Sequence, residues 1–374
     1  MSSKKYIERK DFINGGIITV IVAMLASLIA FVGVHIKVFD PLSKAFENTY
    51  LSDGLFYAHG RSGVDSELVI VDLDGCSSRA EIAATVNDIN SCSPKSLAVD
   101  VIFGKASSVS PREDSLLVDA LADSPNLILA QRIAGKGVER SFFADMLECT
   151  EGDVTLGNGI VRCIPAAWEM DGERIPSFIS RISAMMGRRS VEDNELVNYS
   201  LETLPAVPAE AVIQSQDYIK GKMILLGDMG DLRDLHDTPV VFDGEARTSG
   251  LNIIALSLNT LRPGNGFRNA PMWIEIFLGI ILTYFFCSLV VSPFRRLGID
   301  DVWVVGVQVV ALIVLLSLSY FFFWVFHLNV SLCYWFIGIG LADLGTKFFY
   351  SWRNFLGAIR LPLSKIRDVL SKTK

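Results

Sequence analysis

The stretch LVIVDLDGC, residues 68–76, runs four apolar residues into two carboxylates, Asp72 and Asp74, and then into Gly75. Carboxylates spaced this way at the end of a buried segment suit chemistry. One can attack as a nucleophile while the other moves a proton, and both can help hold a divalent cation. A second stretch, LLGDMGDLRDLHD, supplies Asp228, Asp231, Asp234, His236 and Asp237. Such a density of oxygen ligands suits a hard cation, although the full spacing of a calcium loop is missing. Asp100 interrupts a further apolar run, LAVDVIF. If these runs are neighbouring parallel strands, Asp72, Asp74 and Asp100 gather at their carboxyl ends, where open α/β sheets place ligand crevices. Two readings of that gathering stay open. It is a site for a cation or cationic ligand, or it is a set of caps and turns that accept backbone N–H bonds. The candidate ligand-binding residues are Asp72, Asp74, Asp100, Asp228 and Asp237.

The elements that position these residues are legible from hydrophobic period. Residues 42–58 read as a helix, 68–74 as a strand and 77–91 as a helix with serine caps and apolar positions 82, 86 and 89. Then follow a strand at 97–103, a helix at 113–123 and a strand at 126–133. This alternation predicts an α/β domain with a mostly parallel sheet. Residues 154–168 read as a hairpin turning at Gly157-Asn158-Gly159, 176–186 as a helix, 220–228 as a buried strand and 250–264 as a helix ended by Pro263.

With 51% hydrophobic residues and a mean hydropathy of +0.39, the chain is too apolar for a soluble domain alone. Four segments have the length of a membrane span, 14–36, 272–292, 302–326 and 330–350. The first is longer than the core of a signal peptide and no small-residue cleavage site closes it, so it reads as an anchor. Lys4, Lys5, Arg9 and Lys10 precede it, Arg295 and Arg296 lie between the second and third, and Lys347, Arg353, Arg360, Lys365, Arg367, Lys372 and Lys374 end or follow the fourth. This distribution puts both termini, 1–13 and 351–374, in the cytoplasm and residues 37–271 outside it. The expected setting is a bacterial cytoplasmic (inner) membrane. No basic face with interleaved aromatics occurs in the globular part, so nucleic acid is not an expected partner.

Cys76, Cys92, Cys149 and Cys163 all fall in the outer domain. An even set in an oxidising compartment predicts disulfides, with Cys76–Cys92 and Cys149–Cys163 the most local pairing and free buried thiols the alternative. Spacing gives no zinc motif, and no cofactor is called for. In the fourth span Asp343 and Lys347 stand four apart and share a helix face, either as a structural pair or as a partner contact. Gly338 with Ala342, and Ala26 with Ala30, have the spacing of close helix contacts, which makes a homodimer an expectation. The tail 351–374 sets Leu363, Ile366, Val369 and Leu370 opposite basic residues, a pattern for the lipid surface or a partner helix.

Two resemblances follow. The D-x-D-G of residues 72–75 and the later acidic loop resemble motifs of the haloacid dehalogenase phosphatases. That resemblance implies Asp72 as nucleophile, Asp74 as acid/base, Asp228 and Asp231 as magnesium ligands, and Lys222 at the phosphate. Thr usually follows the glycine there, whereas Cys76 stands here. The wider pattern resembles the type-two CHASE domain, an extracytoplasmic sensor module of bacterial signalling proteins, from about residue 38 to 350. It is carried by Asp53 with Phe56, IVDLD, SLAVDVIF with Asp100 and Phe103, DSLLVDAL, NLILA, GKMILLG, DLRDLHDTP and GLNIIALSLNTLRPG. One span before the domain and three after it complete the arrangement. Ile254 replaces a His of the family pattern, so that residue's role does not carry over. The 24 residues after the fourth span are too short for the family's usual kinase or cyclase. The resemblance therefore implies a non-catalytic sensor that relays its signal to a partner protein in trans. A structural subunit of an envelope complex and a phosphohydrolase are the alternatives.

Overall fold

The computed structural model describes residues 6–35, 51–59, 63–106, 110–135, 137–157, 159–192, 195–242, 244–330 and 333–356. Most of the amphipathic tail and the first half of the helix expected at 42–58 lie outside them. The chain forms two compact units, Thr49–Asn269 and a second that joins Met1–Asn48 to Ala270–Lys374. Its elements begin with α1 (Arg9–His35) and α2 (Leu51–His59).

The first unit is built on β1 (Leu68–Asp72), α3 (Arg79–Ser91), β2 (Ser96–Val99), α4 (Pro111–Ala122), β3 (Ile128–Ala134), β4 (Gly137–Glu139) and β5 (Thr150–Asp153). There follow β6 (Ala167–Met170), β7 (Glu173–Pro176), α5 (Phe178–Met185), β8 (Glu195–Leu196), β9 (Ala206–Pro208) and α6 (Gln216–Ile219). The unit closes with β10 (Met223–Gly227), β11 (Leu235–Phe242), β12 (Glu245–Ser249), α7 (Gly250–Thr260) and β13 (Phe267–Asn269). The main sheet has the order β4-β3-β2-β10-β1-β9, with β5 also against β3. Every pair is parallel except β3 with β4.

Why these segments become central strands is plain from their burial. All residues of β2 and β10 are buried, as is β1 up to Asp72. Strands covered on both faces read as continuous apolar runs rather than alternating ones. Val69, Val71, Leu97, Val99, Ile224 and Leu226 join one core with Val86 and Ile89 of α3 and Leu117 and Leu121 of α4. α5 contacts β3 and β5, and α7 contacts β1 and β10. Each such side chain contributes about 1.5–3 kcal/mol on burial. Helix α3 starts where Ser78 and Glu81 form a reciprocal capping box, the Ser78 side chain accepting from Glu81 N and the Glu81 side chain from Ser78 N.

The hairpin expected at 154–168 is displaced. Residues 154–166 are irregular apart from an isolated bridge at Cys163, and β6 and β7 pair antiparallel around Asp171-Gly172. Both turn residues have positive φ, 50° and 82°. That is the demand of a primed hairpin turn, which Asp-Gly meets well. The tighter two-residue signal prevailed over the looser Gly157-Asn158-Gly159.

In the second unit α8 (Met272–Phe286) continues through a π-turn at Cys287–Val291 into α9 (Ser292–Leu297). After α10 (Asp301–Phe326), α11 (Cys333–Gly340) is followed by a turn at Leu341 and helix over 342–356. Three helices are long and apolar enough to cross a membrane, within Arg9–Ile29, Met272–Leu297 and Asp301–Phe326. In the fourth expected span the helical bonds still run from Leu341 N to Ile337 O and from Gly345 N to Leu341 O.

The π-turn has a local cause. Pro293 has no N–H and cannot bond the carbonyl of Leu289, four residues back. The Tyr6 hydroxyl donates to that carbonyl at 3.2 Å. Arg296 then ties the same end to the start of α1, through Asp11 at 3.0 Å, Glu8 at 2.8 Å and the Tyr6 carbonyl at 2.7 Å. Gly15 packs so closely here that a Cβ on it would lie 2.8 Å from Ser288 Cα. Gly338 packs against Thr283 of α8, so this small residue serves a contact within the chain.

Candidate functional site

Strand β10 lies between β1 and β2, so three carboxyl ends stand side by side and place Asp72, Asp100 and Asp228 along one rim. Asp72 Oδ1 accepts N–H bonds from Asp74 at 3.0 Å and Met229 at 2.9 Å. One carboxylate thereby joins the loop after β1 to the loop after β10. Asp228 Oδ1 accepts from Gly230 N at 2.8 Å. The Asp74 carboxylate lies against Gly230, where an added Cβ would meet its Oδ1 at 3.0 Å. Asp72, Asp74 and Asp228 are thus brought together, and Asp72 and Asp228 are engaged with backbone donors.

Asp100 differs. It ends β2, its own N–H bonded to Leu226 O at 2.8 Å, and among the described residues no donor is paired with its carboxylate. Burial pushes this group up to about 7, the nearby Asp234 carboxylate adds to the rise, and His236 opposes it. Asp234 accepts the N–H of Gly250, the first residue of α7, at 3.0 Å. Its other oxygen lies 3.2 Å from His236 Nε2. The result is a small titratable group, Asp100, Asp234 and His236, beside a helix N-terminus.

Other acidic residues go elsewhere. Asp237 pairs with Arg247 at 2.7 Å, its register partner across β11 and β12. Asp231 pairs with Arg233 at 2.8 Å. Among the described residues no group of three or more His, Cys, Asp or Glu side chains is arranged to hold a metal ion. Lys222 precedes β10, at the end of the strand opposite Asp228, and its Nζ sits 3.8 Å over the Tyr218 ring. A strand of this length spans ~16 Å, so the lysine is not placed to hold a phosphate at Asp72.

The expected disulfides are corrected by the helix geometry. Cys76, Cys92, Cys149 and Cys163 are all free thiols. Cys76 precedes α3 and Cys92 caps its far end. At 1.5 Å per residue α3 separates them by roughly 20 Å, against the ~6 Å between Cα atoms that a disulfide needs. Cys149 points its thiol at Ala144 O at 3.7 Å before β5 carries the chain away, while Cys163 bridges to Leu196. Burial raises the Cys76, Cys149 and Cys163 thiols above their ordinary value.

Several charged residues escaped the sequence patterns. Arg188 lies 2.6 Å from Asp65, with side chains 4% and 0% exposed. Arg162 pairs with Asp53 at 2.8 Å, and Arg189 with the fully buried Glu195. The partners of the first two are far apart in sequence, so no local spacing announces them. In the membrane unit Lys347 Nζ is 2.6 Å from Asp343 as the four-residue spacing implies, and Arg295 reaches both Asp343 at 3.4 Å and Asp301 at 3.0 Å. Lys347 also lies 3.7 Å from Asp301, so the pair belongs to a four-member network.

A family model, the CHASE2 domain, matches residues 18–292. The chain belongs to the CHASE2 domain family. No curated protein and no solved structure shows significant similarity to it. CHASE2 domains are extracytoplasmic sensors, and with the apolar helices this makes the chain a membrane protein of sensory type. The family is a sensory and generally non-catalytic one, in keeping with a rim whose carboxylates order turns. Ile254, which stands where the CHASE2 pattern carries a His, is buried in α7.

Proposed function

We propose that this CHASE2 protein is a multi-pass sensor of the bacterial cytoplasmic membrane. Its globular unit lies outside the cytoplasm, both termini lie within it, and four spans connect them. The unit binds a ligand or reads a condition of the envelope and passes a shift through the spans to a separate effector protein. One observation carries this reading. The family match starts inside α1 and ends in α9, so the family unit includes both the helix that enters the sensor domain and the one that leaves it. Segments 14–36, 272–292, 302–326 and 330–350 are the proposed spans. The basic tail after residue 350 is the proposed contact with anionic lipid or with the effector.

The test is purification of the full-length protein from native membranes in mild detergent, with and without residues 353–374, followed by mass spectrometry. A stoichiometric companion that carries a signalling domain supports the relay. Absence of any companion from both forms removes it.

A further inference from the structure

We infer that the globular unit carries a binding groove for a small organic carboxylate, on a part of the fold remote in sequence from the aspartate rim. The groove has a volume of about 320 Å³. This is at the low end of the range for small-molecule sites, about 300–1,000 Å³. The β6–β7 hairpin forms one wall, through Ala167, Arg174 and Pro176. Helix α5 and the chain after it form the other, through Ala184, Arg188 and Val191.

The lining defines the ligand. Alanines, a proline and a valine offer a shallow apolar surface that suits a short hydrocarbon body. Among the described residues that line the groove, none is acidic, while two are arginines. Arg174 is exposed and makes no ion pair with any described residue. Glu169 is its register partner across the hairpin, yet the two form no salt bridge. Arg188 is more telling. Its terminal nitrogens are committed, one to Asp65 at 2.6 Å and the other to Leu258 O at 2.7 Å. Its Nε is buried and has no partner. A buried donor without an acceptor is costly, and an arginine edge is shaped for a carboxylate. The polar lining is otherwise occupied at Ser180, whose hydroxyl donates to Ala166 O at 2.7 Å. A carboxylate that bridges Arg174 and Arg188 Nε satisfies both, with its hydrocarbon on Ala167, Pro176 and Ala184.

Occupancy is wired into the fold. Arg188 joins the groove to Asp65 just before β1 and to the backbone of α7, and α5 packs directly on α7. A ligand that draws on Arg188 acts on both elements that bear the aspartate rim. The binding site stands by itself, and only its use as a stimulus rests on the sensor reading above.

The experiment uses the full chain in lipid nanodiscs and follows benzoate and hexanoate by saturation-transfer NMR and calorimetric titration. Benzylamine and benzamide serve as cationic and neutral controls. Two variants at exposed positions, Arg174→Gln and Ala184→Trp, remove the free charge and fill the groove without touching the core. The expected result is saturable binding of the carboxylates, weakened about tenfold or more by each variant, and no binding of benzylamine. Absence of carboxylate binding at millimolar concentration, binding unchanged in both variants, or equal binding of benzylamine overturns the proposal. None of these outcomes bears on whether an effector co-purifies, so the two readings fail separately.

Discussion

The carboxylates of the globular unit fall into two groups. Those on the strand-end rim, Asp72 and Asp228, accept backbone N–H bonds in loops. Those beneath the surface, Asp65, Asp53 and Glu195, face arginines. The first group stands out in the sequence, because Asp and Gly after an apolar run catch the eye as a motif. The second group does not. The comparison teaches that visibility and energetic weight are separate properties. A capping carboxylate contributes about one hydrogen bond of modest net worth, whereas a buried charge depends on its partner.

The sharpest way to break the comparison is Arg188→Ala. It leaves Asp65 fully buried and uncompensated, so a loss of about 3–5 kcal/mol is expected. Urea denaturation of the full-length protein in detergent, followed by tryptophan fluorescence, measures it. A loss no larger than that of a rim variant would put the two groups on an equal footing.

Asp100 stands between the groups and gives the next largest effect. Its carboxyl is raised from 3.8 to about 7 in the folded protein, with Asp234 and His236 as the charged groups facing it. The folded state therefore holds a proton that the unfolded state has released between those values. Stability is full below pH ~4 and falls as pH rises through about 7. Asp100→Asn mimics the protonated form. The variant is expected to be more stable than the wild type at pH 8.5 by on the order of 2 kcal/mol, and equal to it near pH 4. Melting curves at the two pH values decide, and an unchanged pH dependence in the variant would assign the titration elsewhere.

The fold was legible where burial dictates composition. The runs LVIV, LAV and MILLG are apolar without alternation because each is covered on both faces, and their Asp and Gly ends mark the rim. The site was legible only as far as that rim. Spacing along the chain says nothing of Asp65 with Arg188, which are joined by the fold rather than by a helix or hairpin period. The hairpin of β6 and β7 was within reach, since Asp171-Gly172 is a strong turn signal, but a glycine-rich stretch nearby competed with it. The π-turn had its signal in Pro293, although Tyr6 as the group that takes up the freed carbonyl is a tertiary choice.

On the rim itself Asp72→Asn is expected to cost about 1 kcal/mol or less, because the amide oxygen can still accept the N–H groups of Asp74 and Met229. Asp72→Ala removes the acceptor from both and is expected to cost about 1–3 kcal/mol. If the asparagine variant were as damaging as the alanine variant, the charge of Asp72 would be the functional property. That outcome would reopen the rim as a binding site for a cation.

The smallest expected effect concerns the thiols. Helix α3 holds Cys76 and Cys92 at opposite ends, and Cys149 and Cys163 make separate contacts, so reduction has no bond to break. A thermal melt in dithiothreitol is expected to match one without it, whereas loss of a native disulfide costs about 2–5 kcal/mol. Alkylation of the denatured protein without reductant, read by intact mass, gives the count directly. The five cysteines described as free thiols are all expected to be modified. Modification of Cys287 with Cys76, Cys92, Cys149 and Cys163 spared would mean that the domain rearranges to bring distant thiols together. It would then have to give up α3, and with it the Val86 and Ile89 contacts that help close the core over β1 and β2.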